Sequence, residues 1–257
     1  MGNRVGRLGG RVAFAGPLGG SEDHVSTRIV NDLKAEGINC SGVVHIAGGT
    51  ASVSLILLNA EGEKTIATRR GVKLGNVLPA DAGKLVADAD AVSVDNRFPD
   101  FVTAVCRAAK ARKIPIVIDL DQATKVDDPL LALGSHVVAS AEALHGTTGL
   151  EDFGTGLKRL SEHVSGFLAV TDGPNGVYWL DQGNLRHMPA FKVKAIDSLG
   201  AGDAFHGAFA LGLAEGRALT DVIRFASATA ALKCTRFGGA SGAPKRAEVE
   251  EFLNRNN

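Results

Sequence analysis

Apolar residues recur along this chain with two periods, and the order of those periods predicts the architecture. Val25–Glu36 carries apolar residues at helical spacing and stops at Gly37, a natural place for a helix to end. Before it, Asn3–Leu8 reads as a helix, and Arg11–Gly16 as a short apolar strand closing on glycine. Ser41–Ala47, Ala51–Asn59 and Glu63–Thr68 read as a three-strand meander, with a hairpin turn at Asn59-Ala60-Glu61-Gly62. From residue 81 helix and strand alternate. Ala91–Asp95, Ile114–Asp119, Ser135–Ala139 and Gly166–Thr171 predict strands, while Pro99–Arg112 and Glu151–Val164 predict helices. A hairpin, Gly176–Leu180 with Leu185–Pro189, and an extended run, Phe191–Ile196, come next. The last quarter is helical over Ala201–Glu215, Leu219–Cys234 and Ala247–Asn254.

Such alternation predicts an α/β fold, a mainly parallel, doubly wound sheet with helices on both faces. Residues 1–40 and 72–257 then form the main domain, and 41–71 a small β lid upon it. With 257 residues, 45% of them hydrophobic, the chain is long enough for such a core. Its 32 glycines and 5% aromatics suit many tight strand–helix turns. The 28 basic and 28 acidic residues cancel, and no basic run exceeds Arg69-Arg70, so a footprint for nucleic acid is missing. Apolar stretches are of strand length, short of the roughly 20 residues of a membrane helix, and Val12–Ala15 is too short for a signal-peptide core. Cys40, Cys106 and Cys234 form no CxxC pair and read as buried small hydrophobes in a reducing cytoplasm.

The strongest chemical signal is Asp197-Ser198-Leu199-Gly200-Ala201-Gly202-Asp203-Ala204-Phe205, between an extended run and a long apolar helix. Gly200 and Gly202 let a phosphate approach the backbone, and the N–H groups of 200–203 lie at a helix N-terminus that favours an anion. Asp203 sits beside that anion site. A carboxylate there repels phosphate unless it has a task, and general base toward a substrate hydroxyl is such a task. Taken alone, the glycines equally allow an ordinary helix start capped by Asp. No third glycine makes a dinucleotide fingerprint, so a nicotinamide-dependent dehydrogenase is remote; no Gly-Lys-Ser/Thr makes a Walker loop. Arg97 and Asp119 follow or end predicted strands, at the carboxyl edge where α/β sheets bind ligands. His206, one turn after Asp203, reads as a packing or supporting residue, and the other histidines are scattered.

Asp197–Asp203 followed by Ala-Phe-His-Gly-Ala resembles the D-T-x-G-A-G-D motif of the ribokinase, or PfkB, family of carbohydrate kinases, with Ser198 in place of Thr. Arg7-Leu8-Gly9-Gly10 with Ala13–Gly16, Thr171-Asp172-Gly173-Pro174-Asn175-Gly176, and Phe225–Arg236 with Gly238-Gly239 resemble further family segments, in order. Asp95-Asn96-Arg97, Ile118–Asp121 and Lys233–Arg236 look like the branch of ketohexokinase-type and sulfofructose kinases. The resemblance implies a ribokinase-like fold and transfer of phosphate from ATP to a sugar hydroxyl. Gly200, Ala201 and Gly202 would form the anion hole and Asp203 the base. Thr171, Gly173 and Gly176 would line nucleotide phosphates and ribose, with Gly238 and Gly239 near adenine. Arg97 and Asp119 would serve the sugar, and residues 41–68 would cover it and pair subunits in a homodimer. Mg²⁺ would come with ATP. A monovalent cation would lie by Asp197 and the Gly238 loop.

Two departures stand out. The family's N-x-x-E reads here Ala139-Ser140-Ala141-Glu142, so Glu142 is a weak metal candidate and Ser140 a residue facing the nucleotide. The chain also starts where the family's first helix is under way. The preceding strand, its sugar-gripping Asp and a Gly-Gly segment have no counterpart, so neighbouring strands are expected to lack a partner. A shortened form of a complete enzyme and a non-catalytic sugar- or nucleotide-binding relative both remain open, as does a kinase of another small alcohol such as a nucleoside.

Overall fold

The computed structural model describes residues 2–58 and 64–256. In chain order it has α1 (Gly2–Arg7), β1 (Ala13–Gly19), α2 (His24–Ala35), β2 (Asn39–Ile46), β3 (Val53–Leu58), β4 (Lys64–Arg69), α3 (Ala82–Leu85), β5 (Val92–Asp95), α4 (Pro99–Ala111) and β6 (Ile116–Leu120). Then follow β7 (His136–Ser140), α5 (Ala141–Thr148), α6 (Phe153–Ser161), β8 (Phe167–Thr171), β9 (Val177–Asp181), β10 (Asn184–Met188), α7 (Ala201–Ala214), α8 (Leu219–Cys234) and α9 (Arg246–Arg255). The six-stranded sheet has the order β10-β9-β8-β7-β6-β5. Strands β5 to β8 are parallel, and β9 and β10 return antiparallel.

Every residue of β6 is buried, as a strand covered on both faces requires. Period two sends Ile116, Ile118 and Leu120 into one core, with Phe101, Val105 and Cys106 of α4 and Leu157 and Leu160 of α6. Val117, Val138 and Ala169 point the other way, against Phe205 and Phe209 of α7 and Val222, Ile223 and Phe225 of α8. This second layer fixes α7, the helix that begins within the Asp197–Asp203 segment, across the sheet.

The expected meander is a hairpin. Only β3 and β4 pair antiparallel, while β2 pairs in parallel with β1 as a separate two-stranded sheet. The turn at Asn59–Gly62 lies outside the described residues. Among the described residues no strand pairs with the outer edge of β5, and β1 with β2 forms a sheet of its own. The helix expected over Glu151–Val164 is α6, and one further helix precedes it. The extra one, α5, is capped by Ser140, whose hydroxyl accepts from Ala143 N–H at 3.1 Å, and ends at Gly149 with φ of 71°. Phe191–Ile196 forms no strand. Cys106 is buried, but Cys40 and Cys234 are half-buried; the sulfur of a cysteine tolerates such partial exposure.

Candidate active site

The carboxyl ends of the parallel strands lie side by side. Asp95 of β5 is in register with Asp119 of β6, and Ser140 of β7 with Thr171 of β8. Helix α7 starts over this edge. Its N-cap is Gly200, with φ of 76° and no side-chain cap, and Asp203 lies in the first turn. Only glycine takes this backbone cheaply. A Cβ built on Gly202 meets open space, so the absence of a side chain there leaves room beside the helix N-terminus. Within the turn, Ala201 N–H already donates to Ser198 O at 3.1 Å, leaving Gly202 and Asp203 at the mouth of the cradle.

Asp203 is 43% exposed on its side chain and pairs with the buried Arg4 guanidinium, Nη1 to Oδ2 at 3.3 Å. Burial pushes its carboxyl up, but neighbouring positive charge, Arg4 included, outweighs this and holds it below the usual carboxylate range. Arg4 reaches it because α1 packs on α7 through Leu8 and Val5. Next along α7, His206 is buried. Its Nδ1 faces Gly202 O at 2.9 Å, and its Nε2 faces Val138 O at 3.2 Å and Asp119 Oδ1 at 3.4 Å. It is thus a strut from the first turn of α7 to β6 and β7.

Asp119 is buried, and desolvation pushes its carboxyl up to about 6 although His206 opposes the shift. Arg97 ion-pairs with Asp121, lies 4.0 Å from Asp95 Oδ2, and donates its N–H to Asp95 Oδ1 at 3.0 Å. Arg97 and Asp119 therefore do meet at this edge, both already engaged by protein partners.

The nucleotide-side candidates flank the same edge. Thr171 donates its hydroxyl to Ala139 O at 3.3 Å. Gly173 and Gly176 bracket the turn between β8 and β9; at Gly176, φ is 105° and a Cβ would strike Met188 O at 2.1 Å. Gly238 N–H donates to Asp197 Oδ2 at 3.1 Å, and Gly239 stands against Leu199, so the loop after α8 is tied to the loop before α7. Ser140 is spent on capping α5, and Glu142 is exposed on the first turn of that helix. Among the described residues no cluster of three His, Cys, Asp or Glu side chains could hold a metal ion. No helix among them is long and apolar enough to cross a membrane.

Two residues escaped the sequence. Arg4, near the start of a short helix, has no local mark that sets it apart from a solvated arginine. Lys233 is fully buried against Asp197. Its spacing from Ala226 and Thr229 on an apolar helix face was a legible signal.

The model of the pfkB family of carbohydrate kinases matches residues 4–246. The chain belongs to that family. It is 31% identical over 255 residues to the ribokinase of Bacillus subtilis (strain 168), covering 96% of this chain and 83% of the relative. Fructokinase-1 of Zea mays is 26% identical over 277 residues, covering 98% and 85%. A crystal structure from Agrobacterium tumefaciens, provisionally assigned as a ribokinase, is 36% identical with a TM-score of 0.92, covering 99% of this chain and 84% of that one. The protein is therefore a phosphotransferase with the ribokinase-like fold, an ATP-dependent kinase of carbohydrates.

Proposed function

We propose that Asp203 is the general base of this sugar kinase and that the Gly200–Ala201–Gly202 turn cradles the transferred phosphoryl group. The observation that carries the proposal is an ionised, half-open carboxylate at the uncapped start of α7, beside the space above Gly202. Asp203 takes the proton of a sugar hydroxyl as that oxygen bonds to the γ-phosphorus of ATP. The bond between that phosphorus and the β–γ bridging oxygen breaks, and its electron pair leaves on ADP. The helix N-terminus of α7 meets the charge on the phosphoryl oxygens.

Around this centre, Thr171, Gly173, Gly176 and Ser140 flank the phosphates and ribose, and Gly238 and Gly239 the adenine. Arg97 and Asp119 face the sugar, a small monosaccharide of the pentose or ketohexose class to judge from the ribokinase and fructokinase relatives. With no protein metal cluster among the described residues, Mg²⁺ fits as a companion of ATP, held by phosphate oxygens and water with Glu142 as the protein carboxylate. It would neutralise phosphate charge there. The β excursion at 41–71 is the lid. Its hairpin exposes Val53, Leu55 and Leu57 on one face, which supports a homodimer formed lid to lid.

The deciding experiment is sugar-dependent ADP formation, with ribose and fructose first, by the protein and by Asp203→Ala. The variant should lose roughly 10²–10⁴-fold in turnover while still binding ATP. Full activity in the variant would remove Asp203 from the role of base.

A further inference from the structure

Lys233 lies in the last turn of α8 with its side chain 0% exposed. A lysine so deep must be paired, and here its partners are all oxygens. The ammonium donates to the backbone carbonyl of Asp197 at 2.7 Å and reaches that of Arg236 at 3.5 Å. It pairs with Asp197 Oδ2 at 3.3 Å. The same carboxylate accepts the N–H of Leu199 at 2.7 Å and of Gly238 at 3.1 Å. One positive charge thus ties together two loops, the one that leads into the phosphoryl cradle and the one that follows α8.

A carboxylate with backbone carbonyls is the donor set that binds hard cations, and the family resemblance places a monovalent cation at Asp197 and the Gly238 loop. The residues of this chain do not fit that ion. The ammonium, close in size to K⁺, already takes the Asp197 carbonyl and carboxylate and reaches the Arg236 carbonyl, and a second cation on the same oxygens would meet its repulsion. We infer that Lys233 is a tethered counter-cation in place of a free monovalent ion, so that the cradle is set without K⁺.

The test exchanges the protein into tetramethylammonium salts at fixed ionic strength and adds back K⁺, NH₄⁺ or Na⁺. The wild type should show the same kcat and KM in all four. Lys233→Ala opens the cage, and it should lose roughly 5–150-fold in tetramethylammonium and recover with K⁺ or NH₄⁺. Lys233→Met fills the space without charge, and it should be slow in every salt. The turnover arm rests on the proposal for Asp203, but a second readout does not. The wild-type Tm should be unchanged by K⁺, and the Tm of Lys233→Ala, if it folds, should rise with K⁺. A wild type that K⁺ activates or stabilises, or a Lys233→Ala protein indifferent to K⁺ in both rate and Tm, would overturn the inference. A protein that phosphorylates no sugar yet shows the expected Tm pattern would instead count against the kinase centre at Asp203.

Discussion

Replacing Arg4 with Ala should move the acid limb of kcat/KM to higher pH by about one unit. Arg4 is 6% exposed, and its guanidinium stands 3.3 Å from the Asp203 carboxylate. At such a distance two unit charges attract by about 5 kcal/mol with an effective dielectric near 20. Asp203 is 43% exposed on its side chain, so water screens much of this. Keeping a little over a quarter leaves about 1.4 kcal/mol, or one pKa unit. The sign follows from the acid. With Arg4 present the carboxylate stays ionised further down the pH scale. Without it, the proton returns sooner as pH falls, so the base is lost at a higher pH. The assay is kcat/KM against pH in a constant-ionic-strength buffer, with Arg4→Lys as the control that keeps the charge. An acid limb that stays in place in Arg4→Ala, or moves to lower pH, would refute the electrostatic link between α1 and the base.

Two other substitutions probe the surroundings. Asp119 has its carboxyl pushed up to about 6 by burial, so the folded state holds this proton more tightly than the unfolded chain, and the group lowers stability as pH rises toward that value. Asp119→Asn should therefore gain about 2–3 kcal/mol relative to the wild type between pH 4 and pH 7; urea melts at both pH values that show a constant offset would refute this. Leu55 and Leu57 are 62% and 58% exposed on the β3–β4 hairpin. The double change Leu55→Ser, Leu57→Ser should convert a dimer to a monomer in light scattering; a wild type that is monomeric at all concentrations would end the lid-to-lid proposal.

What the sequence disclosed was what is local. The strands β5 to β8 lie within two residues of expectation because glycine, proline and charge bracket short apolar runs. The Asp197–Asp203 segment is legible for the same reason, since one continuous stretch holds both the glycine turn and the Asp203 that the structure places at the start of α7. Pairing is a different matter. Nothing within Asn39–Ile46 says whether its neighbour is β1, in parallel, or β3, in a meander, because both satisfy the same alternation. The choice is made by packing against α2 and the helix layer. Ser140 shows a second limit. Its hydroxyl suits a nucleotide contact and a helix cap equally, and the cap takes it. The Arg4–Asp203 pair joins residues about three quarters of the chain apart and exists only because α1 lies on α7.

Four aspartates, Asp95, Asp119, Asp121 and Asp203, gather at the carboxyl edge, and the geometry separates their tasks. A base must be ionised and must reach substrate. Asp121 and Asp95 are held by Arg97, and Asp95 is further burdened by burial, which raises its proton affinity. Asp119 is 11% exposed on its side chain, with one oxygen turned to His206. Asp203 alone of the four combines a lowered proton affinity with an open face. Its cation, Arg4, is carried by another helix, and His206 links its cradle to the strand that bears Asp119. Pulling the carboxylates apart in this way lets one remain ionised for proton transfer while the others hold the edge in shape. On the proposed roles, a polyanionic nucleotide approaching this acidic edge would meet first the start of α7 and its open glycine, with the Asp203 carboxylate beside it paired to Arg4.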